Sequence, residues 1–379
     1  MSRRVTGWFG AVCSLLVIAG AAPLDPLPAG GTATAPARWP SRVITLPGGA
    51  VASVAAEATS VYALTRPLDG GPPSSNPPGT ISRIELSDLG TRSSRPIGGA
   101  GSLAVVGRSL WVSTTTFPAA PGRGTEGSVR IERFGASTLR PIGETLLADD
   151  VPSTGEFSSL TSVPGGPCWA SVGPHLYRLD PTSGRVLSTT TLFFDIESLS
   201  ENPAGSILYA SGEGLLSADY QPSLVVQQLD AVSGTVLASS SGEAVGGGSV
   251  SAAPLGVWVS ARSGNAGASY QLRRGTLALV PVPPSPLPAD GALAQATGLG
   301  DGPYESIGGV QGIVSHHVLW LSAFAYLACA DPSTEAVRGY ELTDQRTAGN
   351  GSLVAVGRRL VLGGVHGISV IQPPGACFS

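Results

Sequence analysis

LYRLDPTSGRVLSTTTL (176–192) and VVQQLDAVSGTVLASSS (225–241) repeat one pattern about 50 residues apart. Each reads as an apolar strand, a turn and a second strand that alternates apolar with small polar residues. Asp180 with Pro181, then Ser183 with Gly184, supply side-chain acceptors, a fixed φ and a residue free to adopt positive φ, which is the chemistry of a tight reversal. The second copy keeps it with Asp230, Ser233 and Gly234.

Working outward, each hairpin follows a strand in which an aromatic precedes a small residue. Tyr62, Trp111, Trp169, Tyr209, Trp258 and Trp320 mark six copies, and Val361 takes the place in a seventh. Their spacings run from about 40 to about 60 residues, as four-stranded units with variable loops require. A further strand of small residues precedes each aromatic, as around Ser102, Ser159, Ser198, Ser249 and Ser352. Strands crowded about a common axis have room only for such residues, and the larger aromatics fill the space between neighbouring sheets. No long stretch carries apolar residues at helical spacing. The pattern predicts an all-β, seven-bladed β-propeller of four-stranded antiparallel blades. The last copy stops at Pro373 and Pro374 after three strands, so the N-terminal segment 42–46, RVITL, is expected to supply its fourth. That closure would remove two open sheet edges.

The strand-turn-strand repeat resembles the blades of YVTN-type and quinoprotein-like propellers over roughly residues 40–373. Segment 179–188 is similar to the docking repeat of quinoprotein dehydrogenases but lacks the tryptophan that ends that motif, and no catalytic residue carries over. The resemblance implies a fold and not an activity.

Arg3 and Arg4 precede an apolar run at 8–22, short for a membrane span and suited to an export signal. The expected division is a signal peptide at 1–21, a Pro/Ala-rich linker at 22–38 and a propeller at 39–379, secreted or held in the cell envelope, with no transmembrane domain in the mature chain. The chain has no lysine, which excludes a Schiff-base or phosphate-loop lysine. Its formal charge of -4, or -6 once Arg3 and Arg4 are removed, disfavours nucleic acid as a partner. Neither G-x-S-x-G, H-E-x-x-H, C-x-x-C, a phosphate loop nor an EF-hand occurs.

Three cysteines remain beyond the leader. Cys329, near the end of a third strand, and Cys377, just after the third strand of the next blade, fall at the same end and are expected to form a disulfide; Cys168, beside Trp169, is expected to be a buried thiol.

First-to-second and third-to-fourth turns lie at one end of each blade, and second-to-third loops with the blade links lie at the other. The insertions 66–80, 115–127, 261–268 and 283–305 are assigned to the second end, which makes it the expected interaction face. The candidate ligand-binding residues there are Asp150, Glu156, His175, Asp195, Glu197, Glu243, Asp301 and His366. Carboxylate oxygens suit calcium or magnesium at the channel mouth, but no compact ligand loop appears, so no metal site or cofactor is assigned. His316 and His317 fall at the opposite end. The expected role is a monomeric recognition module for a protein, glycan or small ligand. The alternative is a propeller lyase or cofactor-dependent oxidoreductase working at the channel mouth.

Overall fold

Apolar runs such as Val61, Tyr62, Ala63 and Leu64 are buried on both faces of the strand, which is stable only where both sides of a sheet are covered. The computed structural model supplies that cover by stacking sheet on sheet. It describes residues 39–67, 79–99, 101–116, 127–151, 158–163, 165–202, 204–215, 222–242, 248–253, 256–263, 266–272, 279–281, 311–315, 317–323, 326–331, 337–342, 352–365 and 367–378, all within the compact unit Pro36–Ser379.

The described strands form seven four-stranded antiparallel sheets. Sheet 1 is Ala50–Ala56, Ser60–Arg66, Gly79–Glu85 and Thr91–Ile97. Sheet 2 is Leu103–Val106, Ser109–Thr116, Gly127–Gly135 and Pro141–Val151. Sheet 3 is Ser158–Ser162, Cys168–Val172, His175–Leu179 and Val186–Thr191. Sheet 4 is Asp195–Glu201, Ile207–Leu215, Pro222–Asp230 and Val236–Gly242. Sheet 5 is Gly248–Ala253, Gly256–Ser263, Ala266–Leu272 and Leu279–Pro281. Sheet 6 is Gln311–Ser315, Val318–Ala323, Tyr326–Ala330 and Val337–Leu342. Sheet 7 takes Leu353–Val356, Arg359–Gly363 and Gly367–Ile371 from the end of the chain and Ser41–Thr45 from its beginning, with Val43 opposite Ser369.

The first strand of each sheet lies against the first strand of the next, and that of sheet 7 touches those of sheets 6 and 1. An inner strand has one unpaired edge, and serine hydroxyls from the neighbouring sheet occupy part of it. Ser53 accepts from Leu103 N at 3.2 Å, Ser159 from Leu199 N at 3.1 Å, Ser198 from Val250 N at 3.1 Å and Ser200 from Ala252 N at 3.0 Å. The recurrent serine therefore answers backbone groups that would otherwise stay unpaired, besides fitting a narrow space.

Apolar clusters fill the gaps between adjacent sheets. Trp111 packs between sheets 2 and 3, Trp169 between sheets 3 and 4, and Tyr62 between sheets 1 and 2, all buried. Truncating one of these rings to alanine costs about 3–5 kcal/mol. Trp39, Trp320 and Cys377 share the cluster between sheets 6 and 7.

The turns between third and fourth strands follow one design in sheets 1 to 4. The fifth residue of the turn adopts positive φ and donates its N–H to the first residue's carbonyl: Leu89 to Glu85 (2.9 Å), Leu139 to Gly135 (2.8 Å), Gly184 to Asp180 (2.8 Å) and Gly234 to Asp230 (2.8 Å). These turns also latch one sheet to the next. Arg359 of sheet 7 donates to Leu86 O at 2.6 Å, Arg83 of sheet 1 to Ser137 O at 3.3 Å, Arg133 of sheet 2 to Thr182 O at 3.0 Å, and Trp169 of sheet 3 to Ala231 O at 2.9 Å. Near the end of the third strand the ladder shifts by one residue in sheets 1 to 4 and in sheet 6, at Arg83, Arg133, Arg178, Gln228 and Cys329.

One expected insertion is corrected. Segment 261–268 is not a long loop, because the hairpin ladder continues through it, with Ala261 opposite Ala268 and Ser263 opposite Ala266. Its Ser, Gly and Asn content reads as loop, yet the register of the two strands carries pairing almost to the tip. The central parts of 66–80 and 115–127, and all of 283–305, lie outside the described residues.

Candidate functional site

At the second end of sheets 3 and 4 the link between them is tied back onto a short loop. Gly173, with φ of +53°, and Pro174 reverse the chain between the second and third strands of sheet 3. Leu192 N donates to Pro174 O at 2.8 Å and Ile196 N to Gly173 O at 2.9 Å. This fixes the start of sheet 4 beside His175, the first residue after the loop. The imidazole is exposed, its Nδ1 is 3.0 Å from Thr191 Oγ1, and its ring is tilted against Tyr177 at 6.5 Å.

Asp195 opens the first strand of sheet 4 and stands opposite Glu213, both exposed. Like charges placed directly across a strand pair are unfavourable, so packing alone does not account for the arrangement. A register shift between Ile196 and Ser198 sets Glu197 in a bulge. A Cβ on Gly212 would lie 1.8 Å from the Asp195 carbonyl oxygen, so only glycine permits this approach. Asp195 and Glu213 thus face each other across the ladder, with Glu197 two residues along, on a strand whose start is tied to the loop before the His175 imidazole. They can accept hydrogen bonds from hydroxyls, amines or amides, and the imidazole can also donate.

Of the sequence-predicted set, His175, Asp195 and Glu197 lie at this end of sheets 3 and 4, where Ile196 N is bonded to Gly173 O two residues before His175. Asp150 sits one residue from the end of the fourth strand of sheet 2, where only its backbone is described. Glu156, Glu243, Asp301 and His366 lie outside the described residues. His317 occupies the tight turn before the second strand of sheet 6, with φ of +60°, at the opposite end. Among the described residues no group of three or more His, Cys, Asp or Glu side chains is placed to hold a metal. Glu213 was missed because it lies in the middle of a strand-like run, and only the register with Asp195 reveals it.

Two further groups lie away from this face, Cys168 buried and Glu201 half-buried. Cys168 is unpaired, its Sγ 3.2 Å from Thr161 O, and burial, reinforced by the charge of Glu201, pushes the thiol far above its ordinary range. A thiol held protonated is a poor nucleophile, so the residue is a packing element. Glu201 is bonded to the Thr161 hydroxyl of the neighbouring sheet, and burial raises its carboxyl above the usual range against that bond. Cys329 and Cys377 are joined in a disulfide with Cα atoms 5.6 Å apart. No helix among the described residues is long and apolar enough to cross a membrane.

No protein-family model matches the chain, and no curated protein sequence matches it. Solved structures do. The WD40 domain of Neurospora crassa Pan2 superposes with a TM-score of 0.57 at 12% identity, covering 86% of this chain and 90% of that one. BamB from Moraxella catarrhalis superposes with a TM-score of 0.50 at 12% identity, covering 86% and 84%. Identity this low speaks for architecture alone, and the four-stranded antiparallel sheets agree with it: the chain folds as a β-propeller.

Proposed function

We propose that the chain is a seven-bladed propeller of the YVTN or quinoprotein-like kind, closed by its N-terminal strand, that acts outside the cytoplasm as a recognition module for a protein, glycan or small ligand. Seven sheets, the pairing of Ser41–Thr45 with Gly367–Ile371 and the cyclic contacts of the first strands support the closed ring. The apolar leader and the Cys329–Cys377 disulfide support an oxidising compartment.

One observation carries the reading of the face. Asp195 and Glu213 stand opposite each other, both exposed, at a cost in like-charge repulsion, on a strand whose start is tied to the loop before His175. Such a site favours donors over acceptors, hence sugar hydroxyls or basic peptide groups over anions.

Glycan and basic-peptide arrays probed with the chain and with an Asp195→Asn/Glu213→Gln variant test this. The wild type is expected to retain one of the two classes, and the variant to bind it at least about tenfold more weakly, a loss of about 1.4 kcal/mol. Equal binding by the two proteins rejects the site. Stoichiometric quinone or divalent metal in the purified protein would instead favour the enzyme reading.

A further inference from the structure

The outer strand of every sheet presents a row of backbone N–H and C=O groups, and proteins block such rows with charge, proline or shortness. Five of the seven outer strands do so here. Sheet 1 carries Arg92, Arg95 and Pro96, and sheet 2 carries Pro141, Glu144, Asp149 and Asp150. Sheet 5 ends in a three-residue strand with Pro281, sheet 6 carries Arg338 and Glu341, and sheet 7 carries Arg42. The outer strands of sheets 3 and 4, VLSTTT and VLASSSG, contain neither a charge nor a proline. Both expose their apolar residues, Leu187 at 50% and Leu237 at 52%. Among the described residues, no strand pairs with either outer edge.

We propose that the outer strand of sheet 3 is the seat of a second copy of this chain, paired antiparallel to its own counterpart about a two-fold axis at Thr189. Strand pairing across a two-fold is self-complementary by construction. Self-complementarity of its two ends selects this strand and this register. Arg185 and Phe193 are exposed just outside its two ends, the ring at 57%, and pairing centred on Thr189 brings Arg185 of each copy alongside Phe193 of the other. A guanidinium over an aromatic face is attractive, and the two-fold makes the contact twice. Between them the register lays Leu187 against Thr191 and Ser188 against Thr190, so no charge meets a charge although the two chains carry the same net sign. Sheet 4 has no equivalent pair, since Thr235 stands where sheet 3 has Arg185.

Sedimentation equilibrium of the full chain between about 1 and 200 μM tests the proposal. The wild type is expected to show a concentration-dependent monomer–dimer equilibrium. Thr189→Lys, an exposed change that sets two ammonium groups face to face on the axis, is expected to raise the dimer dissociation constant at least about tenfold, with far-UV circular dichroism unchanged. Arg185→Glu is expected to weaken the dimer, and Leu237→Lys on sheet 4 to leave it as in the wild type. A wild type monomeric throughout this range overturns the proposal. So do a dimer that survives Thr189→Lys, a dimer lost only in Leu237→Lys, and a series of species larger than the dimer.

Discussion

Sheets 3 and 4 are joined through an intact hairpin turn, whereas sheets 6 and 7 meet where no such turn exists. At the first junction Asp230 Oδ1 accepts from Val232 N, Ser233 N and Ser233 Oγ, which builds the turn that receives the Trp169 indole N–H. At the second, the fourth strand of sheet 7 comes from the opposite end of the chain, so the third strand runs into a free tail. A 3-10 helix at Gly375–Phe378 stands in for the missing turn: Cys377 O accepts from Arg338 at 3.3 Å, and Arg358 lies over the Phe378 ring at 4.7 Å. Cys329 holds the bulge position that Arg83 and Arg133 hold in sheets 1 and 2, and it crosses to the tail by a covalent bond. That place latches one sheet to the next by a hydrogen bond to a turn after sheets 1 and 2, and by a disulfide between sheets 6 and 7.

Breaking the covalent latch should have the largest effect. Replacing Cys329 and Cys377 together by alanine opens a loop with a sequence separation of 48, which should cost about 4 kcal/mol on the chain-entropy account. Urea unfolding should show that loss, with the fluorescence of Trp320 changing at lower denaturant than the rest. Equal midpoints for variant and wild type would mean that Arg338 and the aromatic contacts suffice at this junction.

The hydrogen-bonded latch is sharpened by a pair of glycine substitutions. Both Gly234 and Gly184 have positive φ, but a Cβ on Gly234 would meet Trp169 Cη2 at 2.7 Å, whereas on Gly184 it would meet the end of the Arg133 side chain at 2.7 Å. The indole is locked in the core and the guanidinium can move aside. Gly234→Ala should therefore cost about 2–4 kcal/mol and Gly184→Ala about 1–2 kcal/mol, the latter chiefly backbone strain. Thermal unfolding of the two variants checks the order, and a reversed order would show that Trp169 is not fixed by its bond to Ala231.

The smallest expected effect is electrostatic and lies between sheets 3 and 4. Because the carboxyl of Glu201 titrates higher in the folded chain than in the unfolded one, its contribution is intact below the unfolded value and is lost as pH rises through the folded one. Glu201→Gln should consequently raise the melting temperature by about 2 °C at pH 7 and by nothing at pH 4. A gain of the same size at both pH values would trace the effect to packing.

Much of the architecture is legible because it depends on local pattern. The aromatics that mark the second strands, the Asp and Gly turns at 180–184 and 230–234, and the cysteine pair are all visible as residue types at fixed offsets. What escapes is whatever depends on register between distant segments. Leu89 and Leu139 adopt positive φ that propensity would reserve for glycine, because burial of Leu139 between sheets 1 and 2 outweighs the strain. The latching roles of Arg83 and Arg133 require knowing which turn faces which strand. The site shows the same limit: His175 and Asp195 stand out by type, whereas Glu213 becomes meaningful only when placed across from Asp195.

Trp320 receives Trp39 on one side, with ring centroids 6.4 Å apart, and Phe378 on the other at 5.7 Å. The first and last described aromatics of the fold therefore converge on a single indole. With residues 1–38 removed, a short peptide joining residues 378 and 39 would make the polypeptide circular, and a new start could then be cut elsewhere, for instance at the exposed turn of Gly107 and Arg108. In such a rearranged protein sheet 7 would be built from one continuous run of sequence, and the disulfide would lose the task of holding a loose end.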